Sequence, residues 1–162
     1  MGPGDQGGRP VRRLNPSDAG STEAARKGGL FALGAPLWLV DSITEAVHSG
    51  AGCVLVSGSH GGSSAGQYAL QARPLLAVFN DAGVGKDAAG IAALAQLQGA
   101  GIAACTVAHD SARIGDAEST LEDGIVSHMN AAAAALGLNA GQRLQQALRI
   151  SAASTESSPA RR

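Results

Sequence analysis

The side chains in this chain that could act as acid, base, nucleophile or cation fall into three clusters. Each follows an apolar run: Ser59 and His60 come after Cys53-Val54-Leu55-Val56, Asn80 and Asp81 after Leu75-Leu76-Ala77-Val78-Phe79, and His109 and Arg113 after Ile102 to Val107. Short apolar runs bounded by glycine or proline read as strands buried on both faces. Polar residues at the carboxyl ends of such strands are where open α/β sheets bind ligands. The expected function is therefore that of a small-molecule enzyme, with Ser59, His60, Asp81 and His109 as its catalytic candidates.

Ser57-Gly58-Ser59-His60-Gly61 matches the Gly-x-Ser-x-Gly nucleophile elbow with Ser57 in place of the first glycine. Ser59 then stands as nucleophile, and Ser59, Asp81 and His109 follow the chain order of the α/β-hydrolase triad. In the other reading of these residues, His60 is the acid or base and Ser59 only a hydrogen-bonding group. Hydrolase-like serine or acid–base chemistry is the favoured reaction type.

Substrate contacts are expected from Gly61, Gly62 and Ser63 after the first strand end, and from Asn80, Gly83, Gly85 and Lys86 after the second. Gly83-Val84-Gly85-Lys86 has the ending of a phosphate-binding loop, but Asn80 stands where its first glycine belongs and Asp87 where a serine or threonine would bind magnesium. An aspartate there puts negative charge where phosphate should sit, which argues against a nucleoside triphosphatase. The loop can still offer backbone amides and the Lys86 charge to an anion, or it can be a plain glycine turn capped by Asp87. Arg113 is read as a fork for a carboxylate or phosphate, or as a loop clasp to Asp110 or Asp116.

His60, Asp81 and His109 would make a two-histidine, one-carboxylate metal set if their strand ends met. No His-x-His or Cys-x-x-Cys spacing accompanies them, so no metal is assigned and the cofactor is left open.

Positioning these residues requires strands at 36–40, 52–57, 75–79 and 102–107. Between them, Ser42 and Glu45 form a capping box that starts a helix running to 49–50. A second helix is expected over 88–98. A long helix, bent near Gly124, is expected over 117–136, with Ile125, Met129, Ala132, Ala133 and Leu136 as its inner face, and a last one over 140–150. This places His48 and His128 in helices, away from the strand ends. Strands alternating with helices predict an α/β fold, a small three-layer doubly wound sandwich whose mainly parallel sheet has about four strands.

The 162 residues divide into a glycine-rich tail over 1–28, expected to be disordered, a single α/β domain over 29–150 and a second disordered tail over 151–162. A net charge of −1 and 2% aromatic residues give neither the basic footprint nor the stacking surface of a nucleic-acid binder. No stretch approaches the roughly 20 apolar residues of a membrane span, so a cytoplasmic protein is expected. Cys53 and Cys105 lie in apolar runs and read as reduced core residues. The apolar Leu30 to Leu39 region suggests a homo-oligomer, and the expected partner is a small, anionic ligand. The alternative function is a non-catalytic phosphate- or anion-binding regulatory domain using the Gly58–Gly62 and Gly83–Lys86 loops.

Overall fold

The computed structural model describes residues 12–13, 30–48 and 51–152. Eight strands occur in it: β1 (Arg12–Arg13), β2 (Leu30–Ala32), β3 (Ala35–Val40), β4 (Val54–His60), β5 (Leu76–Asn80), β6 (Ala103–Val107), β7 (Val126–Met129) and β8 (Ser151–Ala152). They are ordered β7-β6-β5-β4-β3-β2-β8, with β1 also paired to β3. β3 to β6 run parallel, and the remaining pairings are antiparallel. The fold is α/β with a mostly parallel sheet. The expectation of about four strands counted only the parallel centre and missed the antiparallel margins.

The parallel strands are continuous apolar runs because both of their faces are buried, and successive side chains go to opposite faces. Val54, Val56, Leu76, Val78, Cys105 and Val107 pack with Ala117, Leu121, Leu144 and Leu148. Leu55, Ala77, Phe79 and Ala104 pack with Ile43, Ala65, Ala69, Leu94 and Leu97. One face is thus covered by helices α3 (Ala117–Asp123) and α5 (Leu144–Leu148), the other by α1 (Ser63–Ala72), α2 (Ala92–Gly99) and the 3-10 turn Ile43–His48. Both cysteines are buried and free, and burial pushes the Cys105 thiol up to about 12, so it behaves as an apolar side chain.

Three local expectations need correction. The helix after Ser42 is a 3-10 turn, Ile43–His48, in which the Ser42 hydroxyl accepts from the Thr44 N–H at 3.2 Å. The helix expected over 88–98 is split into a 3-10 turn, Lys86–Ile91, and α2. The long helix over 117–136 does not form. It breaks into α3, strand β7 and the short helix α4 (Ala131–Ala135).

The break lies at Gly124, where a Cβ would collide with the Thr120 carbonyl and with Val107 at 2.7 Å. The following Ile125-Val126 pair suits a pleated strand. β7 pairs antiparallel with β6, with His128 opposite Thr106 and Met129 opposite Cys105.

Leu30, Leu37 and Leu39 are buried within the chain, and β2 is paired on both sides. The apolar character of 30–39 is used largely within the chain, with Phe31, Leu33, Pro36 and Trp38 half-buried. Of the segments expected to be tails, Arg12–Arg13 pairs with Leu39 and Trp38, and Ser151–Ala152 pairs with Phe31 and Leu30. The rest of 1–28 and 151–162 lies outside the described residues. Among the described residues no helix is long and apolar enough to cross a membrane.

Gly58 lies where β4 passes beneath the loop before α3, and its carbonyl accepts the Gly115 N–H at 2.7 Å. A Cβ there would sit 2.6 Å from the Gly115 carbonyl carbon and 2.8 Å from the Asp41 oxygen. Gly58→Ala should therefore destabilise the fold by about 2–3 kcal/mol through overpacking against backbone. Urea unfolding should show a lower midpoint with an unchanged slope, and an unshifted midpoint would contradict the close approach.

Candidate functional site

Asp81 is the fixed point of the strand-end region. It lies one residue past β5, is 4% exposed, and its N–H donates to the Val107 carbonyl at 2.9 Å, which ties it to β6. Its Oδ1 accepts the N–H of Gly83 at 2.8 Å and that of His109 at 3.0 Å. Burial raises the Asp81 pKa, but the Gly83 N–H, the Ser127 hydroxyl, the His109 N–H and the His109 charge together outweigh it, leaving the carboxyl below its ordinary value. A buried group that accepts this many hydrogen bonds stays ionised at neutral pH.

Two imidazoles face this carboxylate. His109 Nδ1 lies 3.6 Å from Oδ1, and His128 Nδ1 lies 3.8 Å from Oδ2. Both separations are within ion-pair range and longer than a hydrogen bond. The His109 side chain is 59% exposed and that of His128 is 40% exposed. His128 Nδ1 also lies 3.3 Å from the Ser127 hydroxyl, which in turn meets the Thr106 hydroxyl at 2.9 Å. The sequence places His128 in a helix away from the strand ends, and β7 instead brings it in. The β-branched Ile125-Val126 pair after a helix-ending glycine was the available signal for the strand, though not for its partner.

Ser59 is not on a sharp turn. β4 runs through it to His60, and the Ser59 hydroxyl accepts the Ile43 N–H at 2.9 Å, holding the start of the 3-10 turn. His60, exposed at the strand end, packs its ring against Gly62. Among the described residues no three histidine, cysteine or acidic side chains meet as a metal set, so His60 does not join Asp81 and His109 in one.

The Asn80 side chain is buried and structural. It accepts the Ala82 N–H at 2.8 Å and donates to the Ala112 carbonyl at 3.2 Å, fastening the His109–Arg113 loop to β5. The loop after Asp81 is tightly wound, with Ala82, Gly83, Val84, Gly85, Asp87 and Ala88 all at positive φ. A β-branched residue such as Val84 is costly there, about 1–3 kcal/mol. The conformation is held by the Val84 N–H on the Asp81 carbonyl at 2.6 Å and the Gly90 N–H on the Val84 carbonyl at 2.7 Å.

The amides expected to hold an anion are largely engaged. Gly61 N–H donates to the Asn80 carbonyl at 2.9 Å, Gly83 N–H to Asp81, and Gly85 N–H to the Gly83 carbonyl at 2.7 Å. Gly62 precedes α1 as its N-cap and Ser63 is its exposed first residue. Lys86 is exposed at the start of its 3-10 turn, and Asp87 makes no side-chain cap there.

Arg113 is 77% exposed, with Nη1 3.7 Å from Asp116 Oδ2. It lines an open cavity of about 590 Å³ together with His109, Asn80, Asp110, Ser119 and Asp123. A second open cavity of about 640 Å³ is walled by Ile91, Leu94 and Met129 and reached by His128 and Asp87. The structure thus brings Asp81, His109 and His128 together, sets Arg113 on the first cavity with His109, and gives Ser59 a structural partner.

No protein-family model, curated protein or solved structure matches this chain. The functional reading rests on the geometry.

Proposed function

We propose that this protein is an enzyme acting on a small anionic molecule by acid–base chemistry, with His109 as the proton acceptor and Asp81 as the carboxylate that orients it. The frame is a doubly wound three-layer sandwich, and the site lies at the carboxyl ends of its parallel strands. The supporting observation is the pairing itself: an exposed imidazole at a cavity mouth, its Nδ1 3.6 Å from a buried carboxylate held in the ionised state. With Nδ1 turned to Asp81, Nε2 is the nitrogen that exchanges a proton with the ligand. Catalytic contacts of this kind are commonly long in the absence of ligand and tighten when it binds.

In this reading neutral His109 takes a proton from the substrate or from an attacking water, and Asp81 stabilises the imidazolium that forms. Arg113, exposed on the same cavity, binds the substrate's anionic group through its fork. Water-based hydrolysis fits better than a serine nucleophile, because the Ser59 oxygen accepts the Ile43 N–H and, among the described residues, makes no hydrogen bond to a histidine that could activate it. The non-catalytic anion-binding alternative has less support, because the amides of Gly61, Gly83 and Gly85 are bonded within the chain.

Turnover of a panel of small carboxylate and phosphate esters and amides tests this. His109→Asn should lower kcat roughly 10²- to 10⁴-fold with melting nearly unchanged. Arg113→Lys should mainly raise KM, since lysine keeps the charge and loses the bidentate geometry. Full activity per folded molecule in His109→Asn would overturn the reading. Labelling of Ser59 by a fluorophosphonate would replace it with the serine route.

A further inference from the structure

We propose that His128 is a second proton-transfer residue of this site, set on the opposite oxygen of the carboxylate that orients His109. The proposal rests on the acid–base reading above and extends it from one imidazole to a pair. Asp81 presents Oδ1 to His109 Nδ1 at 3.6 Å and Oδ2 to His128 Nδ1 at 3.8 Å, so neither imidazole displaces the other. The two Nδ1 atoms are then no more than roughly 10 Å apart, the span of two contacts and one carboxylate, which puts both rings within the reach of one ligand.

The surroundings of His128 are those of an oriented group. On its Nδ1 side stand the Asp81 carboxylate and the Ser127 hydroxyl at 3.3 Å, and that hydroxyl is itself held by Thr106. Nε2 is the nitrogen left for a ligand, and the half-exposed ring opens on the cavity walled by Ile91, Leu94 and Met129. Asp87 is the acidic residue on that cavity, whereas Asp110, Asp123 and Arg113 lie on the cavity of His109. This division points to a substrate class: a small anion whose charged end reaches Arg113 and whose apolar arm lies between Ile91, Leu94 and Met129.

In the step this allows, neutral His109 takes a proton from the ligand at Nε2 while protonated His128 gives the proton on its own Nε2 to another ligand atom. One imidazolium is exchanged for the other, so the proton count and net charge of the pair are unchanged. Exchange with water then resets both rings.

Long-range proton–nitrogen NMR on the full chain, with its histidines nitrogen-labelled and the rings neutral, reads the tautomers directly. Both His109 and His128 should carry their proton on Nδ1, facing the carboxylate. A proton on Nε2 of His128 with His109 as expected overturns this proposal and leaves the single-base reading standing; the wrong tautomer at both removes both.

Asp81→Asn should change only His128. The two N–H donors on Oδ1 keep the amide oxygen toward His109, so the amide nitrogen replaces the Oδ2 charge that favours a proton on His128 Nδ1, and the Nε2 tautomer of His128 gains population. If that variant fails to fold, the wild-type spectrum decides.

Titration with phenylacetate separates an acting group from a structural one. It should shift the His109, His128 and Met129 side-chain signals together, and His128→Gln should weaken its binding about 10-fold. Shifts confined to His109, or no binding at millimolar concentration, overturn the proposal.

Discussion

Asp81→Asn is expected to leave the fold standing and to lower kcat by roughly 10²-fold or more. The amide oxygen still accepts the Gly83 and His109 N–H groups that fix the loop, so the backbone of the site has no reason to move. What disappears is the negative charge beside the imidazolium formed in the reaction. Inside a protein that charge is worth far more than in water, because the surroundings screen it less. The kcat and melting curve of the same sample test this. Unchanged turnover in a folded Asp81→Asn protein would remove the carboxylate from the mechanism.

The same substitution has a signature in the dependence of stability on pH. Asp81 has a folded-state pKa below its ordinary value, so its carboxylate favours the folded state wherever it is ionised. That contribution is complete above the unfolded-state pKa and is lost as pH falls through the folded one. The wild-type chain should lose stability on acidification below about pH 4 more steeply than Asp81→Asn. Parallel urea midpoints for the two proteins across that range would contradict the shift.

Asn130→Ala is expected to be the more damaging change to the fold, on the order of 4 kcal/mol. Asn130 is buried, and its side chain satisfies four backbone groups. Oδ1 accepts the N–H of Ala104 at 3.0 Å and of Ala133 at 2.9 Å, and Nδ2 donates to the carbonyls of Leu94 at 3.1 Å and Ile102 at 2.9 Å. Alanine leaves all four without that partner, at a cost of about 1–3 kcal/mol for each that stays buried. Urea unfolding measures the loss directly, and a change below about 1 kcal/mol would mean that water replaces the side chain. Because Asn130 follows directly on β7, a milder substitution there should also disturb the His128 signals before the chain unfolds.

The parallel centre of the sheet was legible because its cause is local. A strand buried on both faces must be apolar at every position, and the runs at 36–40, 52–57, 75–79 and 102–107 have no other economical use. The polar residues that end those runs placed Asp81 and His109 at one edge, since parallel strands in a sheet finish on the same side. Asp81 as an acid and His109 as its neighbour were readable from that argument without coordinates.

Longer-range competition decided the rest. Residues 125–129 fit a helical face as well as a strand, and the choice fell to the exposed edge of β6, whose unpaired backbone groups need a partner, together with the crowding at Gly124. That choice carries His128 to Asp81, which no local pattern shows. The Ser59 hydroxyl and the glycine amides likewise looked available in the sequence, because what occupies a donor or acceptor depends on what folds against it. The Ile43 N–H takes the first, and the turns at Gly61, Gly83 and Gly85 use the others internally. The sequence by itself determined the strands and the edge where chemistry could collect. Only the tertiary structure decided which polar groups there are already satisfied and that a second imidazole shares the carboxylate, because hydrogen bonding between distant segments is settled by packing and not by spacing.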